Sequence, residues 1–115
     1  MLKKSNEIQT MEEICPEGGR GRLELTDLFS CFGKNTKIST FAYAKLDAGS
    51  DVGYHVHQGE CECYYILCGS GIYNDNGKEL PITCGDITFT YSGEGHGISN
   101  TSTEEMRFIA LTLHE

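Results

Sequence analysis

Four side chains in this sequence have the types and spacing to share one cation. His55 and His57 are two residues apart, and on an extended strand that period sets both imidazoles on one face, one pleat apart. Beyond a Gln58-Gly59 turn, Glu62 opens a strand-like run in which Glu62, Tyr64, Ile66 and Cys68 share a face. His96 comes from a separate stretch, Gly93-Glu94-Gly95-His96-Gly97, whose glycines read as a turn able to bring a fourth ligand from another strand. Together they would offer three neutral nitrogens and one carboxylate oxygen. Glu60, in the turn three residues from His57, reads as a solvated rival, and His114 beside the C-terminus as exposed.

This donor set is hard to borderline, which suits Mn²⁺, Fe²⁺, Ni²⁺, Co²⁺ or Zn²⁺ and does not favour soft Cu(I). An octahedral ion would keep two open positions. A dication with one carboxylate ligand leaves a local charge of about +1 in a mostly apolar barrel, so a small anion such as a carboxylate, enolate or sugar acid can replace water there. Imidazoles ligate only when neutral, so the metal should be lost as pH falls towards ~6. Tyr64, Ile66 and Phe89 have two roles open to them, lining a pocket or packing the core. Tyr64, Tyr91 and Glu94 are the candidates for moving a proton, but spacing singles out none, and no catalytic residue is assigned.

The elements that must position these groups are strands. Fourteen glycines against two prolines, with turn signals every eight to twelve residues, favour many short strands. Strand-like runs cover 37–46, 53–57, 62–68, 72–73, 78–83, 87–91 and 106–113. Asn76-Gly77 between extended runs is a strong hairpin signal. Residues 1–22 differ and read as an N-terminal arm with a short helical turn around Thr10 to Ile14; residues 23–115 form the domain proper. An all-β chain of this size must close its sheet or stack two, so a small barrel or jelly roll follows. The run Cys63-Tyr64-Tyr65-Ile66-Leu67 is apolar on both faces, so its outer side needs a cover, the arm, a second subunit or both, with Tyr65 and Leu67 facing the subunit contact.

Composition excludes several partners. The chain has 115 residues, enough for one domain. Seventeen acidic residues against nine basic ones give a net charge of -8, which repels nucleic acid and anionic membranes. No apolar run approaches the ~20 residues that span a bilayer. The first twenty residues lack the apolar stretch of a secretory signal, so a cytoplasmic location is expected. The six cysteines contain no C-x-x-C, and Cys61 and Cys63 on one strand would sit about 6.6 Å apart, too far to bridge. They read as reduced, small apolar residues.

The residues also match a known pattern. Gly49, His55-Val56-His57, Glu62 and Gly69 fall at every position of the first motif of the cupin superfamily. Gly85, Gly93, His96 and Asn100 fall at those of the second, with Tyr91 where proline is expected. Over about residues 40–113 the chain therefore resembles a small single-domain cupin. The resemblance implies a double-stranded β-helix (jelly-roll) barrel, a divalent ion on His55, His57, Glu62 and His96, and a homodimer. It implies a metal-dependent decarboxylase, isomerase or dioxygenase acting on a small oxygen-rich molecule, with a non-catalytic ligand-binding or sensor module as the alternative. Thiol dioxygenases of the superfamily usually lack the glutamate ligand, so Glu62 argues against that branch.

Overall fold

Ten strands, each paired only antiparallel, make two facing sheets in a computed structural model that describes residues 1–115. They are β1 (Thr10–Ile14), β2 (Arg22–Asp27), β3 (Ile38–Leu46), β4 (Asp51–Val56), β5 (Glu60–Cys68), β6 (Ser70–Asp75), β7 (Lys78–Thr83), β8 (Ile87–Thr90), β9 (Gly95–Ser99) and β10 (Met106–His114). One sheet runs β1-β2-β3-β10-β5-β8 and the other β4-β9-β6-β7. From β3 onward the chain crosses back and forth between them, with only the β6–β7 hairpin staying in one sheet, and this winding is the double-stranded β-helix. No helix is long and apolar enough to cross a membrane.

Alternation of side chains decides which face each strand buries. On β10, Met106, Phe108, Ala110 and Thr112 point inward and are buried; on β5, Glu62, Tyr64 and Ile66 do the same. The apolar members meet Leu23, Ala44, Leu46, Val52, Tyr73, Ile82 and Ile98 in one core between the sheets. Asn76 and Gly77 both have positive φ (51° and 100°), the two-residue hairpin expected between β6 and β7. Asn100 closes a corner: its amide nitrogen donates to the carbonyls of Leu46 (2.9 Å) and Glu104 (2.7 Å), and its side-chain oxygen accepts from Ser102.

Three elements depart from the sequence expectation. Thr10–Ile14 is not a helical turn but β1, an edge strand paired with β2 in full register from Thr10↔Thr26 to Ile14↔Arg22. β2 itself carries a Leu23–Leu25 alternation that marks a half-buried strand. Gly95–Ser99 is a strand rather than a turn. It is buried on both faces, and a Cβ at Gly95 would collide with the Tyr54 ring, so the glycines there admit a close neighbour.

β8 keeps its alternation but turns the other way. Thr88 and Thr90 are buried, while Ile87, Phe89 and Tyr91 are 70%, 48% and 62% exposed. Phe89, for which a pocket wall or the core was expected, therefore lies on the outer face. It sits opposite Cys63, as Ile87 sits opposite Tyr65, and both Tyr65 and Leu67 are exposed on that same face.

Candidate metal centre

β4 and β9 run side by side with His55 directly opposite His96. His57 follows β4 by one residue, and its backbone is pinned by two hydrogen bonds, from its own N–H to the Glu94 carbonyl (3.1 Å) and from the Gly93 N–H to its carbonyl (2.7 Å). Glu62 enters from the facing sheet near the start of β5, opposite Thr112 of β10 and Thr90 of β8. His55, Glu62 and His96 are thus fixed by strand pairing, and His57 by its backbone bonds to the turn before β9.

The four side chains converge. The Nε2 atom of His96 lies 3.2 Å from that of His55 and 3.1 Å from that of His57. The Glu62 Oε1 atom is 3.1 Å from His57 Nε2 and 3.0 Å from His96 Nε2. One donor atom from each of the four lies within 4.8 Å of all the others. Separations of 3.0–3.2 Å are those of neighbouring corners around an octahedral ion bound about 2.1–2.2 Å from each donor.

A surrounding layer orients the donors. The His55 Nδ1–H donates to the Gly53 carbonyl at 2.7 Å, which leaves the Nε2 lone pair facing the centre. On His96, Nδ1 is 2.8 Å from the Tyr73 hydroxyl, which in turn lies 3.1 Å from the Thr90 hydroxyl. With Nδ1 as donor and the Tyr73 proton passed to Thr90, His96 Nε2 is also free to ligate. The second Glu62 oxygen accepts from the Thr112 hydroxyl at 2.5 Å. Tyr64 stacks on His96 with centroids 4.9 Å apart.

Electrostatics favour the unprotonated donors. Burial lowers the His96 pKa, although Glu62 pulls it back up. For Glu62, burial pushes upward, but hydrogen bonds with His96 and Thr112 outweigh it and hold the carboxyl below its usual value. The Tyr64 hydroxyl is pushed well above 10, first by burial and then by the Glu62 charge, so it stays a proton-bearing wall group. The cluster fits a divalent metal: three imidazole nitrogens and one ionised carboxylate, with no lysine or arginine lining the cavity.

The site opens into a cavity of about 250 Å³ where Leu23, Val52, Tyr64 and Phe108 meet polar residues including Glu13, Glu17 and Glu60. Of the three residues for which a pocket wall or the core was open, Tyr64 lines this cavity, Ile66 is fully buried in the core, and Phe89 is outside. Tyr91 and Glu94 do not reach the cavity. The Glu94 carboxylate accepts the Tyr91 backbone N–H at 3.0 Å, a bond that the proline expected at this position could not donate. Tyr73, Thr90 and Thr112 were not singled out from sequence; their inward positions on alternating strands are the one signal that marks them.

Comparison with known proteins agrees with this geometry. A family model described as the Cupin domain matches residues 42–112. The chain belongs to the cupin family. It is 43% identical over 113 residues to a Thermotoga maritima protein named oxalate-binding protein, a match covering 98% of this chain and 93% of that one. A T. maritima crystal structure described as a predicted oxalate decarboxylase superposes with TM-score 0.91 at 43% identity over all of both chains. A cupin-superfamily sugar phosphate isomerase from Silicibacter pomeroyi shares the fold, with TM-score 0.79 at 17% identity over 100% of this chain and 76% of its own.

Proposed function

We propose that this cupin holds one divalent ion, of the Mn, Fe, Ni, Co or Zn group, on His55, His57, Glu62 and His96, and binds a small oxygen-rich carboxylate of the oxalate type on it. The observation that carries this reading is the convergence of four donor atoms, with the His55 tautomer held by the Gly53 carbonyl and His96 Nδ1 met by the Tyr73 hydroxyl, at a cavity of about 250 Å³. The 43% identical oxalate-binding protein supports the ligand class. When bound, the ion would supply a Lewis-acid anchor for carboxylate oxygens. The chain's own residues wall the site on one side with Leu23, Val52 and Phe108 and keep a protonated Tyr64 hydroxyl beside it.

The test is calorimetric titration of oxalate into protein stripped of metal and reloaded with Mn²⁺. Metal-dependent binding at one ligand per chain is expected, and it disappears in His96→Ala. Oxalate binding of equal strength with and without metal would overturn the reading. Measuring CO₂ release in the same mixtures distinguishes a decarboxylase from a binding module.

The reading extends to assembly as a homodimer. Tyr65, Leu67, Ile87, Phe89 and Tyr91 form an exposed apolar patch on adjacent strands β5 and β8, and Phe89 packs on Tyr91 with centroids 4.8 Å apart. A second copy covering this face would remove the patch from water.

A further inference from the structure

The cavity over the metal centre has an unusual charge pattern. Besides Glu62 it is lined by three more carboxylates, Glu13 of β1, Glu17 of the turn Pro16–Gly18 and Glu60 of β5, and by no lysine or arginine. Glu13 and Glu17 make no ion pair, and Glu60 has only a 3.5 Å contact with His114. The adjoining groove, which shares Ser39 and Thr40 with this cavity, has one cationic lining residue, Lys34.

The backbone that carries the exposed Glu17 side chain to this wall is also held at a conformational cost. Its φ of 50° and the φ of 53° at Cys15 put two non-glycine residues in the left-handed region around the buried Pro16. Such residues each cost roughly 1–2 kcal/mol and persist where surrounding contacts impose them. Here the turn is clamped on β4: a Cβ at Gly53 would collide with the Glu17 carbonyl oxygen, and one at Gly19 with the Asp51 carbonyl oxygen. The Tyr64 hydroxyl, raised chiefly by burial and by Glu62, feels the Glu17 charge as well.

We infer that Glu17, assisted by Glu13, is a specificity-determining residue that restricts the site to ligands whose every carboxylate group ligates the ion and whose remaining part is neutral. This rests on the metal-and-carboxylate reading above. A second anionic group reaching past the ion would meet the Glu17 and Glu13 carboxylates in a cavity that offers no compensating cation. Like charges placed in such a setting cost enough to decide selectivity. Compact chelators such as oxalate and 2-hydroxy acids with a neutral tail pass this wall; longer dicarboxylates do not.

Glycerate and malate test it, since both present a 2-hydroxy carboxylate head and differ in whether the tail ends in a hydroxyl or a carboxylate. Their affinities for Mn²⁺-loaded protein would be measured by calorimetry beside oxalate. Wild type should favour glycerate, and Glu17→Gln should shift the malate-to-glycerate affinity ratio towards malate by about 10-fold. Glu17→Gly, which removes the charge in a conformation that glycine adopts freely, should shift it likewise even if the turn of Glu17→Gln is disturbed. Glu12→Gln, one residue along β1 and outside the cavity lining, should leave the ratio unchanged.

An unmoved ratio in both Glu17 variants overturns the inference alone, and so does an equal shift in Glu12→Gln, which would trace the effect to net charge. Binding of oxalate with neither hydroxy acid in any variant does the same. Loss of oxalate binding in metal-loaded wild type overturns the ligand reading and, with it, this one.

Discussion

His96 Nε2 faces two other imidazole nitrogens at 3.1 and 3.2 Å. Lone pairs that close repel one another unless a cation or a shared proton stands between them, so the arrangement is expensive without one. His96→Ala should therefore cut metal content sharply in elemental analysis, and equal content in variant and wild type would contradict the site. Tyr73→Phe removes the partner that orients His96 and should weaken metal affinity about 10- to 100-fold in a chelator competition, with the fold intact by circular dichroism. The pH dependence has a definite sign. Both His96 and Glu62 are lowered, so each remains in its ligating form to lower pH than its free counterpart. Metal affinity should be level above about pH 6.5 and fall below it as imidazoles take up protons. In the metal-free protein the unfolded chain takes up these protons first, so both groups subtract stability on acidification, His96 below ~6.5 and Glu62 below ~4.3.

At the scale of elements, glycines decide how closely backbones approach. Gly53 lets the turn Pro16–Gly18 lie against β4, and Gly95 lets the Tyr54 ring cover β9. Gly53→Ala should lower stability by about 1–3 kcal/mol through this overpacking, read as a drop in Tm, and should displace the turn that carries Glu17. A melting temperature equal to wild type would mean that the turn is free to move away. The same elements show why β1 and β9 escaped the sequence reading. In β1 the segment Thr10–Ile14 contains Glu12 and Glu13 without alternation, and an edge strand needs only one partner to form. In β9 a glycine-rich segment buried on both faces lacks the period of 2 that reveals a strand.

For the whole molecule, the outer face of the six-stranded sheet carries the largest run of exposed apolar side chains on paired strands, Tyr65, Leu67, Ile87 and Phe89. Inward threonines on β8 bring hydroxyls to the centre, where Thr90 serves Tyr73, and that choice sends Ile87, Phe89 and Tyr91 outward. Light scattering after size exclusion should report a dimer at micromolar concentration, and Leu67→Glu with Phe89→Glu should shift it to monomer. A wild-type monomer would leave the patch without that partner.

The sequence alone determined the types and order of the candidate ligands, because a strand's period of 2 and the glycine spacing are local properties of the chain. His55, His57, Glu62 and His96 could be read from it, as could the Asn76-Gly77 hairpin and most of the strands. Tertiary structure alone decided which face of β8 is buried, because alternation gives the period of a strand but not its phase. It likewise decided that Tyr73 and Thr112, distant in sequence, would orient His96 and Glu62, and that a strained turn near the N-terminus would set Glu17 at the cavity wall. Those outcomes depend on how two sheets stack, and no local pattern of residues encodes that.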